Sequence, residues 1–289
     1  MSAVISKETP GETISNQGTV MSNSFSLNNK VVLVTGAGAG IGRAIAKQLA
    51  GARAQVMLSD IDSTTCAQAC DELSTAGCRV ASHAHDVTSE DDWKRVLTAT
   101  VSRFNGLDVL VNNAGIYAGS MLLDSPIEQY RRLNKVNVES VFLGMKLAAE
   151  IMKIGGTVGN GGSIINMSSV AGLKGVSGDA AYGATKGAVR LCTKHLAVEF
   201  ARLGYGIRVN SVHPGLIATD MGNQVLEDAV ASGLAPDFDT ANILFSQMIP
   251  MGHFGSGEDV ANMVQFLASD ASKYCTGAEF VVDGGLLAG

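Results

Sequence analysis

The chain has 289 residues, enough to bury a sizeable core, and 46% of them are apolar. A formal net charge of −6 gives no basic footprint for nucleic acid or an anionic membrane surface. No segment approaches the roughly 20 unbroken apolar residues of a membrane span, and five cysteines without a disulfide spacing suit a reducing cytoplasm.

Residues 1–27, MSAVISKETPGETISNQGTVMSNSFSL, are rich in Ser, Thr, Asn and Gly and have no hydrophobic periodicity. They lack the apolar core of a secretory signal and read as a disordered tail. Met21 opens a shorter, self-sufficient reading of the chain. From Lys30 onward, short apolar runs alternate with longer amphipathic segments. VVLVT (31–35) reads as a buried strand and 41–51 as a helix. QVMLSD (55–60) is a second strand, with a helix near 63–76 behind it. A third strand spans 79–87, a helix 89–104, and LDVLVNN (107–113) is the fourth strand. A long helix over 126–153 begins with Pro126 in its first turn. SIINMSS (163–169) is a fifth strand, then come a glycine-rich loop and a helix over 180–203. IRVNSVHPG (207–215) is the sixth strand. Residues 216–256 have no strand character, and a helix near 257–269 and the strand EFVVD (279–283) close the chain.

Runs of Val, Ile and Leu mark strands buried on both faces, and their alternation with helices demands right-handed crossovers. The expected architecture is α/β: a doubly wound sheet of about seven parallel strands, flanked by helices on both faces, in one domain over 28–289. Ligands of such a sheet sit in the crevice at the carboxyl ends of the strands.

The first crevice motif is TGAGAGIG, Thr35 to Gly42. Its glycines at 36, 38, 40 and 42 fit the spacing G-x-G-x-x-G in no register. Four glycines in seven residues still exceed what an ordinary strand-to-helix turn needs. They permit backbone N–H groups to approach a pyrophosphate at a helix N-terminus. The second strand ends at Asp60, 24 residues after Gly36. A carboxylate there accepts from both ribose hydroxyls and repels a 2′-phosphate, and Ser59 and Ile61 carry no charge to rescue one. NAD is therefore expected rather than NADP. Cys66, Cys70 and Cys78 precede His83 and His85, a set that could be read as zinc ligands. The i, i+4 pair of cysteines is more simply a buried helix face, so no metal is expected.

Tyr182 and Lys186 are also spaced i, i+4 and share one helix face, and Ser169 ends the strand leading to that helix. A free phenol, with a pKa of about 10, is a poor base at neutral pH. A nearby ammonium stabilises the phenolate and moves it towards general acid–base work, and a serine hydroxyl can bind the reacting oxygen.

TGAGAGIG, NNAG (112–115), Ser169, Tyr182 and Lys186 within SSVAGLKGVSGDAAYGATK, and VNSVHPG (209–215) together resemble the short-chain dehydrogenase/reductase family. The resemblance covers residues 28–287 and supplies the missing glycine pattern, T-G-x-x-x-G-x-G, met by Thr35, Gly36, Gly40 and Gly42. It implies a Rossmann-type fold with hydride transfer between a secondary carbinol and a nicotinamide. Tyr182 would be the general acid/base, Ser169 would hold the substrate oxygen, and Lys186 would bind the nicotinamide ribose. Asn137, in KVNVESVF, would support a proton-relay water, and Ser168 would be structural. Gly36, Gly40, Ile41, Gly42, Asp60 and Ile61 would meet the cofactor, with Asp86 and Val87 at the adenine. Asn113, Ala114 and Gly115 would line it further along. Pro214, Gly215, Ile217 and Thr219 would close over the nicotinamide.

The resemblance also makes 216–256 a substrate lid. That stretch is rich in Leu, Ile, Phe and Met, and no Arg or Lys lies between 209 and 272. KGAVRLCTKHLAVEFA and IRVNSVHPGLIATDM are similar to members acting on alicyclic alcohols and hydroxysteroids. A hydrophobic alicyclic, terpenoid or steroid alcohol is thus the expected substrate. The alternatives are a 3-oxoacyl-carrier-protein reductase-like enzyme, which normally uses NADPH, and a non-catalytic dinucleotide-binding protein. The long helices over 126–153 and 180–203 would pair subunits into a homotetramer or homodimer, with no nucleic acid or membrane partner.

Overall fold

Seven short runs pair edge to edge in the computed structural model, which describes residues 24–289. They are β1 (Val31–Thr35), β2 (Gln55–Asp60), β3 (Val80–Ala84), β4 (Val109–Asn112), β5 (Gly162–Met167), β6 (Ile207–Pro214) and β7 (Glu279–Val282). All neighbours run parallel, in the order β3-β2-β1-β4-β5-β6-β7. The order reverses between β1 and β4, so the crossovers leave that point in opposite directions and open a crevice above it.

The helices are α1 (Gly40–Gly51), α2 (Ser63–Thr75), α3 (Glu90–Phe104), α4 (Ile127–Asn134), α5 (Ser140–Met152), α6 (Ala180–Arg202), α7 (Asp220–Ala231), α8 (Phe238–Gln247) and α9 (Gly257–Ala268). Side chains alternate across each strand, so the sheet feeds two cores. Val32, Val34, Val56, Val111, Ile165 and Val212 face α1, α2 and α9 on one side. Leu33, Met57, Leu110, Ile164 and Val209 face α3, α5 and α6 on the other. The edge strand β3 departs from the two-sided pattern: Ser82 and Ala84 are exposed, because no strand covers its outer side. Cys66 and Cys70 pack on the inner face of α2, and burial pushes the Cys66 thiol up to about 11. Among the described residues no helix is long and apolar enough to cross a membrane.

Two boundaries differ from the sequence reading. The single helix expected over 126–153 is α4 and α5 joined by one π turn, Lys135–Glu139, and Asn137 lies fully buried within it. Such a wide turn often marks a functional position inside a helix. The second correction concerns the tail. Residues 1–23 lie outside the described residues, but 24–27 belong to the folded body. The Ser24 carbonyl accepts from Ala271 N at 3.1 Å, and Leu27 N donates to Ala52 O at 3.2 Å. Phe25 meets the Phe266 ring at 6.2 Å, and Leu27 is completely buried. Phe25 and Leu27 are the apolar pair at the end of a polar stretch: Leu27 enters the core on the α1–α9 side, while Phe25 stays half exposed against Phe266. Leu27→Ala should therefore destabilise the fold by about 2–5 kcal/mol, as a large-to-small core change does. Denaturant unfolding measures this; an unshifted midpoint would mean that Leu27 is not part of the core.

Candidate active site

The glycines after β1 each answer a different contact. Gly36 and Gly40 have φ of +64° and +51°, in the left-handed region that penalises side chains. A Cβ on Gly42 would lie 1.9 Å from the Gly36 carbonyl oxygen, so the first turn of α1 presses directly on the loop. Gly38, outside the family spacing, has its own reason: a Cβ there would meet the Thr65 hydroxyl at 2.6 Å and Asp60 at 3.1 Å. The N-terminus of α1 has no capping side chain and no acid in its first turn. Its free N–H groups and dipole suit an anion.

Across the reversal point, one hydroxyl joins the two sides. Thr35 Oγ1 donates to Val111 O at 3.3 Å and accepts from Asn113 N and Ala114 N at 3.1 and 3.0 Å. Asn113 Nδ2 returns the link to Thr35 O and Gly36 O at 2.9 and 3.2 Å. Asp60 accepts from Gly38 N through Oδ2 at 2.9 Å and from Asp62 N through Oδ1 at 3.0 Å. Each oxygen keeps a lone pair for a ribose hydroxyl. Ile61 beside it is 74% exposed, an aliphatic side chain standing in solvent at the strand end. Asp86 Oδ1 accepts from the backbone and hydroxyl of Thr88, and Val87 is buried. Thr219 caps α7 by accepting from Gly222 N at 3.2 Å, and its methyl would lie 3.7 Å from a Cβ on Gly40. Pro214 ends β6, and Gly215 N donates to Val282 O at 2.9 Å. Ile217 turns its side chain into the core, leaving only its backbone towards the crevice. The uncapped start of α1 and the free lone pairs of Asp60 are compatible with a dinucleotide laid across the crevice.

Tyr182, Lys186, Ser169 and Asn137 converge at the same crevice. Lys186 is 5% exposed and its Nζ donates to Met167 O at 3.0 Å, with Nζ 5.6 Å from the Tyr182 ring centre. Asn137 Oδ1 accepts from Ile116 N at 2.9 Å, while Nδ2 donates to Ile116 O at 2.9 Å and to Thr185 Oγ1 at 3.2 Å. A Cβ on Gly115 would sit 3.2 Å from Asn137 Oδ1 and 3.5 Å from Lys186 Nζ, so the segment after β4 passes closely between them. Ser169 is extended at the end of β5 and accepts from Ala171 N at 3.2 Å. Ser168 points away, donating to Lys186 O at 2.9 Å.

Burial dominates the electrostatics. It pushes the Tyr182 phenol up to about 12, against the opposing pull of a hydrogen bond from Ser169. The same burial lowers Lys186 to about 8. The lysine is expected from the sequence to depress the phenol; instead burial sets the direction of both shifts, because each charged form loses its water.

Three further residues shape the site: His213, Tyr117 and Asp228. His213 Nδ1 donates to Ser169 O at 3.1 Å, and its Nε2 pairs with Ser211 Oγ at 2.8 Å, so it braces the serine from β6. Tyr117 packs its ring against Tyr182, with centres 5.0 Å apart at 76°. Asp228 reaches from α7 to accept from Gly119 N at 2.8 Å. An aromatic two residues past the NNAG motif was the available signal for Tyr117; nothing local marked Asp228. A cleft of about 640 Å³ opens beside this point, lined by Ile116, Tyr117, Gln129, Met221 and Gln224. The lid stretch has no cation, but α4 brings Arg132 to this cleft alongside Glu128 and Asp220.

The chain's similarities agree with this geometry. Residues 36–287 match a family described as "Enoyl-(Acyl carrier protein) reductase". An NADP-dependent (R)-specific alcohol dehydrogenase of Lentilactobacillus kefiri is 39% identical over 91% of this chain and 98% of its own. A cyclopentanol dehydrogenase of Comamonas sp. is 40% identical over the same shares, 91% and 98%. A 3-alpha-(or 20-beta)-hydroxysteroid dehydrogenase of Mycobacterium bovis is 40% identical over 91% of each chain. Among solved structures, a short-chain type dehydrogenase/reductase from Mycobacterium marinum superposes with a TM-score of 0.80 at 35% identity, covering 91% of this chain and 97% of that one. The chain belongs to the short-chain dehydrogenase/reductase family.

Proposed function

We propose that the chain is an NAD-dependent dehydrogenase that reversibly oxidises a hydrophobic secondary alcohol, alicyclic, terpenoid or steroid, to its ketone. The observation that carries this reading is the meeting of buried Tyr182 and Lys186 with half-buried Ser169 at the mouth of the crevice. Relatives whose names carry cyclopentanol and hydroxysteroid substrates support the alcohol class.

When bound, NAD supplies a positively charged hydride acceptor. Gly40–Gly42 and the N-terminus of α1 would hold its pyrophosphate, Asp60 its adenosine ribose and Lys186 its nicotinamide ribose. Ser169, braced by His213, holds the substrate hydroxyl against Tyr182. Tyr182 takes the hydroxyl proton in oxidation and returns it in reduction. Asn137 fixes the backbone of Ile116, so the strand end lining the crevice keeps its place beside Lys186. Exclusion of water strengthens each of these contacts and makes them worth more in the transition state than in solution. The lid offers an apolar surface: Met221, Leu234, Phe238, Ile243 and Met248 are exposed on or beside α7 and α8. Leu226, Ala241 and Phe245 pack the lid's own small core instead.

One relative's name states NADP dependence. The Asp60 carboxylate supports NAD here, and it also counts against the 3-oxoacyl-carrier-protein reductase alternative. We further propose that the chain assembles as a homodimer or homotetramer through α5 and α6, where Phe142, Leu191 and Val198 are exposed.

Tyr182→Phe should lower turnover by about three orders of magnitude while leaving NAD affinity nearly unchanged, since general acid–base groups contribute on the order of 10²–10⁴. Steady-state rates on a panel of cycloalkanols, monoterpene alcohols and hydroxysteroids, with calorimetric NAD titration, check this. Retained turnover in Tyr182→Phe would remove the phenol from the mechanism. The wild-type protein should prefer NAD to NADP, and Asp60→Asn should narrow that preference by about tenfold or more, the worth of one charged hydrogen bond. A wild-type preference for NADP would overturn the assignment.

A further inference from the structure

The loop after β4, residues 116–120, is tied to α4, to the start of α6 and to α7. Gln129 Nε2 on α4 donates to Ala118 O at 3.3 Å. Ser120 N donates to Gly178 O at 2.8 Å, just before α6, and Gly119 N donates to Asp228 Oδ2 on α7. Gly119 is pinched: a Cβ there would lie 2.4 Å from the Tyr117 hydroxyl and 3.2 Å from Asp228 Oδ2. The loop therefore folds Tyr117 back over itself, and the phenol donates to Asp179 Oδ1 at 2.8 Å.

Asp179 stands at the N-cap of α6, where an aspartate side chain ordinarily accepts from the first helical N–H groups. It makes no such bond. Its carboxylate instead takes the Tyr117 hydroxyl, and Tyr117 lays its ring edge against Tyr182, one turn along the same helix. The local capping role is given up for a bond to the tyrosine whose ring packs on Tyr182. The titratable groups around Tyr182 are Tyr117 from the loop, Asp179 and Lys186 from α6, Asp228 from α7 and His213 from β6. Burial disfavours the charged forms of Lys186, His213 and Asp179 alike, and the Tyr117 hydrogen bond only partly offsets this for the Asp179 carboxylate.

We propose that Asp179 is a positioning residue for proton transfer: it holds Tyr117 against Tyr182 and keeps a carboxylate one helical turn before the reacting phenol. The inference rests on Tyr182 being the general acid/base. A carboxylate beside the phenol disfavours phenolate, so its removal makes deprotonation easier. In Asp179→Asn, the rising limb of kcat/KM for alcohol oxidation should move down by about one pH unit, the size expected of one nearby like charge. Asp179→Glu keeps the charge and should restore the limb to within about 0.3 unit. Tyr117→Phe, which leaves the carboxylate in place, should also keep the limb near its wild-type position while changing kcat. Asp179→Ser serves as the neutral variant where Asp179→Asn does not fold. An unmoved limb in a neutral variant of wild-type melting temperature overturns the proposal. Tyrosinate absorbance, taken as the difference between each protein and its Tyr182→Phe counterpart, follows the same titration without turnover. Should no alcohol be oxidised at all, the dehydrogenase reading fails alone, and the tyrosinate titration still decides for or against Asp179.

Discussion

The site depends on how a parallel sheet is held open at the point where its strand order reverses. Nothing in the ladder itself spans that gap above the strand ends, so side chains must. Thr35 does it with a single hydroxyl that gives one hydrogen bond to β4 and takes two from the turn after it. Asn113 completes the joint from the other side. Once these two turns are locked, the glycine loop, the start of α1 and the segment 113–116 have fixed positions, and Gly115 can thread between Asn137 and Lys186. The π turn in the long helix is the matching adjustment on the far side, turning Asn137 inward to grip Ile116.

Desolvation is the second constraint, and it acts on both partners of the chemistry. Burial resists a phenolate at Tyr182 and an ammonium at Lys186 alike. Two groups that each resist charge alone can still share charge as a pair, and a positive hydride acceptor beside them shifts the balance further. The enclosure that makes the free phenol a weak acid also sharpens its response to neighbours. Single charges nearby, such as that of Asp179, therefore matter more here than they would at the surface.

The sheet, its order of elements and the placement of Ser169, Tyr182, Lys186 and Asn137 in one crevice were legible in the sequence. The sheet rests on periodicity and the Tyr182–Lys186 pair on i, i+4 spacing, which are local signals, whereas Asn137, and Ser169 over Ser168, came only through the family resemblance. The direction of the Tyr182 shift was not legible, because i, i+4 spacing reports proximity but says nothing of lost water. The ends of elements were equally hidden: Leu27 looked like the last residue of a polar tail, and only the gap between α1 and α9 makes it core. Tyr117, Asp179 and Asp228 meet across three separate segments, and their hydrogen bonds are set by the tertiary fold. Gly38 lay outside the recognised spacing, yet its close approach to Asp60 and Thr65 shows that this extra glycine lets the loop pack on the end of β2 and the start of α2.

The central claim is that this crevice moves a hydride from a secondary carbinol carbon to a nicotinamide while Tyr182 handles the proton. Deuterium placed on the carbinol carbon of a cycloalkanol or hydroxysteroid that the protein turns over follows that atom directly. The account predicts one deuteron on the nicotinamide ring of the NADH formed, none exchanged into water, and a ketone in equal amount. Bound NAD with no label transfer from any alcohol of the panel, or label lost to solvent during turnover, would contradict it.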